Sequence, residues 1–122
     1  IVNEVEAMDL CDVNSVALAQ ASLQTDYPNL KIILTLGRQG VRYLNQGEMV
    51  EVPAFKVDAV DTTAAGDTFI GYALAGLQSS LSIEDTLRQA CAASALCVMK
   101  HGASSAIPTL PQVADFMEQH NA

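Results

Sequence analysis

Apolar and polar positions along the chain follow two periods, and the period changes at glycines, prolines and short polar clusters. Residues 11–24, CDVNSVALAQASLQ, place Val16, Ala19 and Leu23 at the spacing of one helix face. Asp12 and Asn14 are good N-cap types at the start of that segment, and Pro28 with Asn29 ends it. Next comes KIILTLG, residues 31–37, a short apolar run that is β-branched early and closed by glycine. It predicts a strand buried on both faces. Helix, break and buried strand is the order of a parallel α/β sheet. Residues 41–52 alternate around the cluster Asn45-Gln46-Gly47-Glu48 and predict a β-hairpin at the sheet edge. Pro53 and the alternation of Phe55, Val57 and Ala59 then lead, strand-like, into VDTTAAGDTF. From Gly66 to about Gln78 the spacing of Phe69, Tyr72, Ala73, Gly76 and Leu77 is helical. A second helix follows Ser82, with Glu84 and Asp85 in the first turn where the helix dipole favours anions, and runs to a stop at Gly102. Its alanine-rich stretch, residues 90–95, allows close packing. A last helix starts near Pro111 and carries Val113, Phe116 and Met117. Every element except the hairpin is expected to bury a broad face. No repeat, low-complexity tract or linker interrupts the pattern.

Composition narrows the class. The 122 residues carry 6 Lys and Arg against 14 Asp and Glu, a net charge of −8. Half are hydrophobic and only 16% are charged, against a usual share of about 25%. Disorder is excluded, because it needs low hydrophobicity with high charge density. Six scattered basic residues do not make the basic face of a nucleic-acid module. No apolar run reaches the roughly 18 residues of a membrane span. A domain of this size exposes much of its surface and needs charged residues to cover it. With so few charges, and with Ile1 rather than Met in first place, the chain is expected to be part of a larger body. The alternative is a small domain that hides an apolar face in an oligomer. Cys11, Cys91 and Cys97 have no CxxC spacing, which argues against a zinc site or a disulfide framework. They read as reduced thiols of a cytoplasmic protein. His101 and His120 have no metal-ligand partner at helical spacing and read as surface or packing residues.

Most of the chemistry sits in Asp61-Thr62-Thr63-Ala64-Ala65-Gly66-Asp67-Thr68-Phe69. Small residues let a backbone approach a ligand closely, and N–H groups at a helix start can bind an anion. Such a nest can stabilise the charge on a transferring phosphoryl group. A carboxylate at Asp67, against a phosphate site, makes sense if it takes a proton from an attacking hydroxyl. On spacing alone the segment reads equally as a plain strand-to-helix turn with an ordinary first-turn acid.

VDTTAAGDTF closely resembles the second signature of the ribokinase (PfkB) family of carbohydrate and nucleoside kinases. Three more segments agree in that family's order: Asn3-Glu4-Val5-Glu6 with its N-x-x-E motif, Thr35-Leu36-Gly37-Arg38-Gln39-Gly40 with its T-L-G-x-x-G segment, and Gly102-Ala103 through Pro108 with its G-A-x-x-x-x-P segment. The resemblance covers essentially the whole chain, but only about the C-terminal half of such a kinase. It implies an α/β fold: the C-terminal, nucleotide-binding and catalytic portion (residues 1–122) of a ribokinase-like, Rossmann-like three-layer α/β/α domain. The sheet would be mainly parallel with an edge β-hairpin, and the N-terminal half and lid would lie elsewhere.

The resemblance also implies roles. Asp67 would be the general base that lets a sugar hydroxyl attack the γ-phosphate of ATP, and the amides of Ala64, Ala65, Gly66 and Asp67 would form the anion hole. The common family version has Gly where this chain has Ala64; Ala also occurs there among ribokinases. Asn3 and Glu6 would help hold Mg2+ and its waters. Thr35, Gly37 and Gly40 would contact the nucleotide; read alone they make a strand-terminating turn. Cys91 stands where relatives often have Asn or His near adenine, and reads equally as a small core residue. A potassium site (K+) is implied at Asp61, Thr63, Cys97, Lys100, Gly102 and Ala106, mostly through backbone carbonyls, with Ala106 where a serine is often seen. Arg38 and Lys100 could flank phosphates or be simply solvated. The expected partners are a small-molecule sugar, ATP and the N-terminal half of the kinase, with no nucleic acid and no membrane. A homodimer stays open as well, since dimers of the family often pair through the lid. Other acceptors, such as a nucleoside, a fructose phosphate or a deoxy-gluconate, stay open, as does a non-catalytic nucleotide-binding domain.

Overall fold

The computed structural model describes residues 1–62, 64–100 and 107–120, and the chain forms two compact units, Ile1–Pro53 and Ala54–Ala122. Of the residues expected at a site, Thr63, Gly102 and Ala106 lie outside the described residues, as does His101.

The first unit is a four-stranded sheet in the order β1 (Val2–Asn3), β2 (Ile32–Thr35), β3 (Val41–Asn45) and β4 (Glu48–Val52), with helices α1 (Glu4–Cys11) and α2 (Val16–Asp26) between β1 and β2. β1 and β2 run parallel, while β2–β3 and β3–β4 are antiparallel. Where a mainly parallel sheet was expected, the described sheet is mixed, because the hairpin supplies two of its three pairings. The hairpin does end at the edge. It turns at Gln46 and Gly47, both with positive φ (50° and 85°), which matches the right-handed twist of the strands it joins. Alternation along β2 explains its double burial: Ile32 and Leu34 pack with Ala7, Ala19, Leu23 and Leu44, and Ile33 is buried as well.

The helices of this unit depart from expectation. α1 was not foreseen, and the helix expected from residue 11 begins only at Val16. Asp12 does not cap it. Asp12 closes α1 in the left-handed conformation, which Asp tolerates, and Ser15 caps α2 by accepting the Leu18 N–H at 3.1 Å. Nor is the buried face broad: α1 buries only Ala7 and α2 only Ala19 and Leu23, whereas β3 of the hairpin buries Val41, Tyr43 and Leu44.

The second unit holds α3 (Ala65–Leu77), α4 (Ile83–Val98) and α5 (Leu110–Gln119). Residues 54–62 approach α3 without forming a strand. The N–H groups of Val60 and Asp61 bond to the Val98 carbonyl, at 2.6 and 2.9 Å, in place of a strand partner. α4 packs its alanines closely: Ala92, Ala93 and Ala95 form a core with Val113 and Phe116 of α5. α4 ends at Val98, short of the expected stop. His120 has the packing role expected of it, with its ring stacked on Phe116 at 4.0 Å.

Candidate functional site

At the carboxyl end of β1 and β2 the first unit gathers five of the expected residues. Asn3 pairs with Thr35 in the parallel register, and the Thr35 hydroxyl donates to the Val2 carbonyl at 3.5 Å. Open α/β sheets bind ligands beyond the carboxyl ends of their strands. Asn3 and Glu6 form a capping box at the start of α1. Asn3 Oδ1 accepts the Glu6 N–H at 2.8 Å, and Glu6 Oε1 accepts the Asn3 N–H at 2.9 Å. N-x-x-E is therefore a helix-start signature as well, and it was the signal from which α1 could have been read. Both side chains are exposed. An oxygen donor set of this kind suits Mg2+ held through water.

After β2 the chain enters a one-turn 3-10 helix, Gly37–Gln39. Gly37 (φ 57°) and Gly40 (φ 102°) take positive φ, and the backbone of Gly40 lies in a region that essentially only glycine adopts. The Leu36 N–H closes the loop on the Gly40 carbonyl at 2.8 Å. Gly37 has a neighbour that sequence reasoning missed: a Cβ there would lie 3.8 Å from Glu4 Oε1.

The second unit gathers the other set around the start of α3. Ala64 precedes the helix and supplies no side-chain cap. The Ala65 N–H bonds to the Thr62 carbonyl at 3.2 Å. Gly66 and Asp67 are exposed in the first turn, and nothing lies within 4 Å of where a Gly66 Cβ would stand. The end of α4 lies against this turn. Cys97 and Ala64 pack as a small buried cluster, the Thr68 hydroxyl donates to Cys97 Sγ at 3.5 Å, and the Ser94 hydroxyl donates to the Ala65 carbonyl at 3.3 Å. The contacts of Thr68 and of the Ser94 and Cys97 side chains with this turn did not figure in the sequence reading. Their signal was a small polar residue and a thiol at i and i+3 of an alanine-rich helix, on one face.

Asp61, Cys97 and Lys100 meet at the same helix end. The Asp61 N–H reaches the Val98 carbonyl, and the Cys97 carbonyl accepts the Lys100 N–H at 3.2 Å. Cys91 stands apart, six residues earlier and about 9 Å along the axis. It is buried, and burial pushes its thiol up to about 12. Among the described residues no group of three or more His, Cys, Asp or Glu gathers to hold a metal, and no helix is long and apolar enough to cross a membrane.

Residues 1–110 match the pfkB family carbohydrate kinase domain. The chain is 42% identical over 96 residues to the ribokinase of Lactococcus lactis, covering 79% of this chain and 32% of that protein. It is 39% identical over 97 residues to fructokinase-2 of Zea mays, covering 74% of this chain and 29% of that one. Its fold superposes on Arabidopsis thaliana ribokinase complexed with ribose and ATP with a TM-score of 0.87 at 28% identity, covering 95% of this chain and 39% of that one. The chain thus spans about a third of the length of the curated relatives it matches. Four motifs in family order and a fold shared with these kinases lead to one assignment: the chain belongs to the pfkB family of carbohydrate kinases.

Proposed function

We propose that these residues are the nucleotide-binding and catalytic part of an ATP-dependent sugar kinase in the cytoplasm, with the acceptor pocket and lid supplied by the rest of the kinase fold. The observation that carries this reading is the start of α3. It is a helix N-terminus with no side-chain cap, built of small residues, with an exposed carboxylate in its first turn. Uncapped N–H groups and the helix dipole favour a phosphate. Asp67 would then accept the proton of the sugar hydroxyl as its oxygen bonds to the γ-phosphorus, while the bond from that phosphorus to the ADP oxygen breaks. The amides of residues 64–67 would take up charge on the transferring group, that of Ala65 on leaving the Thr62 carbonyl, and positioning plus charge stabilisation supply most of the rate in such reactions. Mg2+, when bound, would neutralise phosphate charge, and Asn3 and Glu6 would hold it through water. The polypeptide turn of Thr35, Gly37 and Gly40, with its two positive-φ glycines, would let the nucleotide approach the backbone.

A potassium ion would sit at the end of α4, on carbonyls that include that of Cys97. Exposed apolar side chains along α3, Ile70, Leu74 and Leu77, support the view that more of the fold covers this unit. Ribokinase and fructokinase relatives make ribose and fructose the acceptors to assay first.

The test is Asp67→Asn in the full-length protein, assayed with ATP and each sugar. Loss of a general base is expected to lower turnover by about 10²–10⁴ while ATP binding persists. Unchanged turnover would overturn the assignment.

A further inference from the structure

Among the described residues four helices begin on a residue whose side chain accepts a first-turn N–H: Asn3 for α1, Ser15 for α2, Ser82 for α4 and Thr109 for α5. α3 begins on Ala64, which cannot. A Ser, Thr, Asn or Asp in that place would stabilise the helix, but by engaging the amides an anion needs. An uncapped start is free to fray, and frayed amides make a poor anion site. The structure meets both demands from outside the helix.

We infer that Ser94 and Cys97 of α4 are positioning residues that hold the first turn of α3 in register for phosphoryl transfer. They act on the groups that an incoming phosphate does not use. Ser94 Oγ donates to the Ala65 carbonyl at 3.3 Å. Cys97 Sγ accepts the buried Thr68 hydroxyl at 3.5 Å, and its thiol packs on Ala64. Thr68 is tied twice, since its N–H also bonds to the Ala64 carbonyl at 2.9 Å. The clasp therefore grips residues 64, 65 and 68, on either side of Gly66 and Asp67, and among the described residues no side chain caps the helix start, where the Ala65 N–H rests on the Thr62 carbonyl. The same α4 end fixes the approach, through the Val98 carbonyl that accepts Val60 and Asp61. Neither side chain touches the reacting atoms; each acts through the backbone of α3.

This inference rests on the kinase reading, and its test separates the two. Steady-state kinetics with ATP, Mg2+ and ribose or fructose compare Ser94→Ala, Cys97→Ala, their double variant, Cys97→Ser and Asp67→Asn in the full-length protein. Small displacements of catalytic groups are costly in rate. Each alanine variant is expected to lower kcat about 3- to 10-fold and the double variant more than 10-fold, with the KM for sugar within twofold. Cys97→Ser keeps an acceptor for Thr68 and is expected to recover part of what Cys97→Ala loses. A double variant with native thermal stability and unchanged kcat, beside an inactive Asp67→Asn, would overturn the clasp and leave the kinase reading intact. An active Asp67→Asn would overturn the kinase reading itself. If the double variant fails to fold, the single Ser94→Ala and Cys97→Ser variants decide. A KM rise in them without a kcat loss would count against positioning.

Discussion

α3 carries Asp67, so the distance between α3 and α4 helps set where the proposed base stands, and one glycine controls that distance. A Cβ at Gly76 would fall 2.4 Å from Thr86 Cγ2, 2.8 Å from its Oγ1 and 3.0 Å from its Cβ. Thr86 is 1% exposed and its own Cβ would stand 3.0 Å away, so no rotamer of it swings clear. Gly76→Ala gains about 1 kcal/mol of helix propensity. Against that stands overpacking, which costs about 1–3 kcal/mol, and the rigidity of Thr86 puts this case at the upper end. The expected net loss is about 1–2 kcal/mol. Thr86→Ala removes the two nearest atoms, and the Cβ it keeps, 3.0 Å away, needs a shift of only a few tenths of an ångström. It gives up a buried methyl, about 0.8 kcal/mol, but also a buried hydroxyl that has no hydrogen-bond partner in the structure, so alone it should be close to neutral. The double variant should then recover the propensity gain and stand at least 1 kcal/mol above the sum of the single effects. Urea denaturation of all four full-length proteins, followed by circular dichroism, reads the coupling. If Gly76→Ala destabilises equally with and without Thr86, or stabilises on its own, the close α3–α4 packing described above is not what limits this position.

The remaining predictions are simpler. Gly66→Ala meets open space and should keep the fold, gaining up to about 1 kcal/mol, while phosphoryl transfer falls about tenfold or more as the methyl takes the anion's place; equal activity would argue against the helix-start site. Steady-state rates in potassium and sodium buffers should differ, and equal rates would remove the cation site. Burial raises the Cys91 thiol from 9.0 to about 12, so its neutral form stabilises the fold fully below the lower value, and that contribution is lost as pH rises towards the upper one. Alkaline unfolding should therefore be less steep in Cys91→Ala, and an unchanged slope would refute the assignment.

β2 and the hairpin were the legible part of this fold, because an apolar run and a turn cluster leave few alternatives. Ile32, Ile33 and Leu34 form a strand buried on both faces, and the turn narrows to Gln46 and Gly47 inside the expected cluster. Helix starts were harder, since capping depends on which of several polar residues takes extended φ and ψ. Asp12, Asn14 and Ser15 are all capping types, and only Ser15 accepts from the helix. For the candidate site, motif order named Asp67 and its small neighbours, but not what holds them. Ser94 and Cys97 lie about 30 residues on, and only the packing of α4 brings them to Ala64 and Ala65. Contacts of that separation leave no local pattern.

Two helix starts in this chain treat the same physics in opposite ways, and the difference fits the charges they would serve. At α1 the Glu6 N–H is satisfied by Asn3 Oδ1 and the Asn3 N–H by Glu6 Oε1. What that start presents to solvent is carboxylate oxygen, an environment for a hard cation. At α3 no side chain caps the helix, and the groups tied down are a carbonyl and a hydroxyl. What that start can present is N–H, an environment for an anion. A chain of net charge −8 does not attract phosphate as a whole. The local choice of capping residue, Asn3 in one case and Ala64 in the other, sets what each helix start offers, whatever the acidic charge of the chain as a whole.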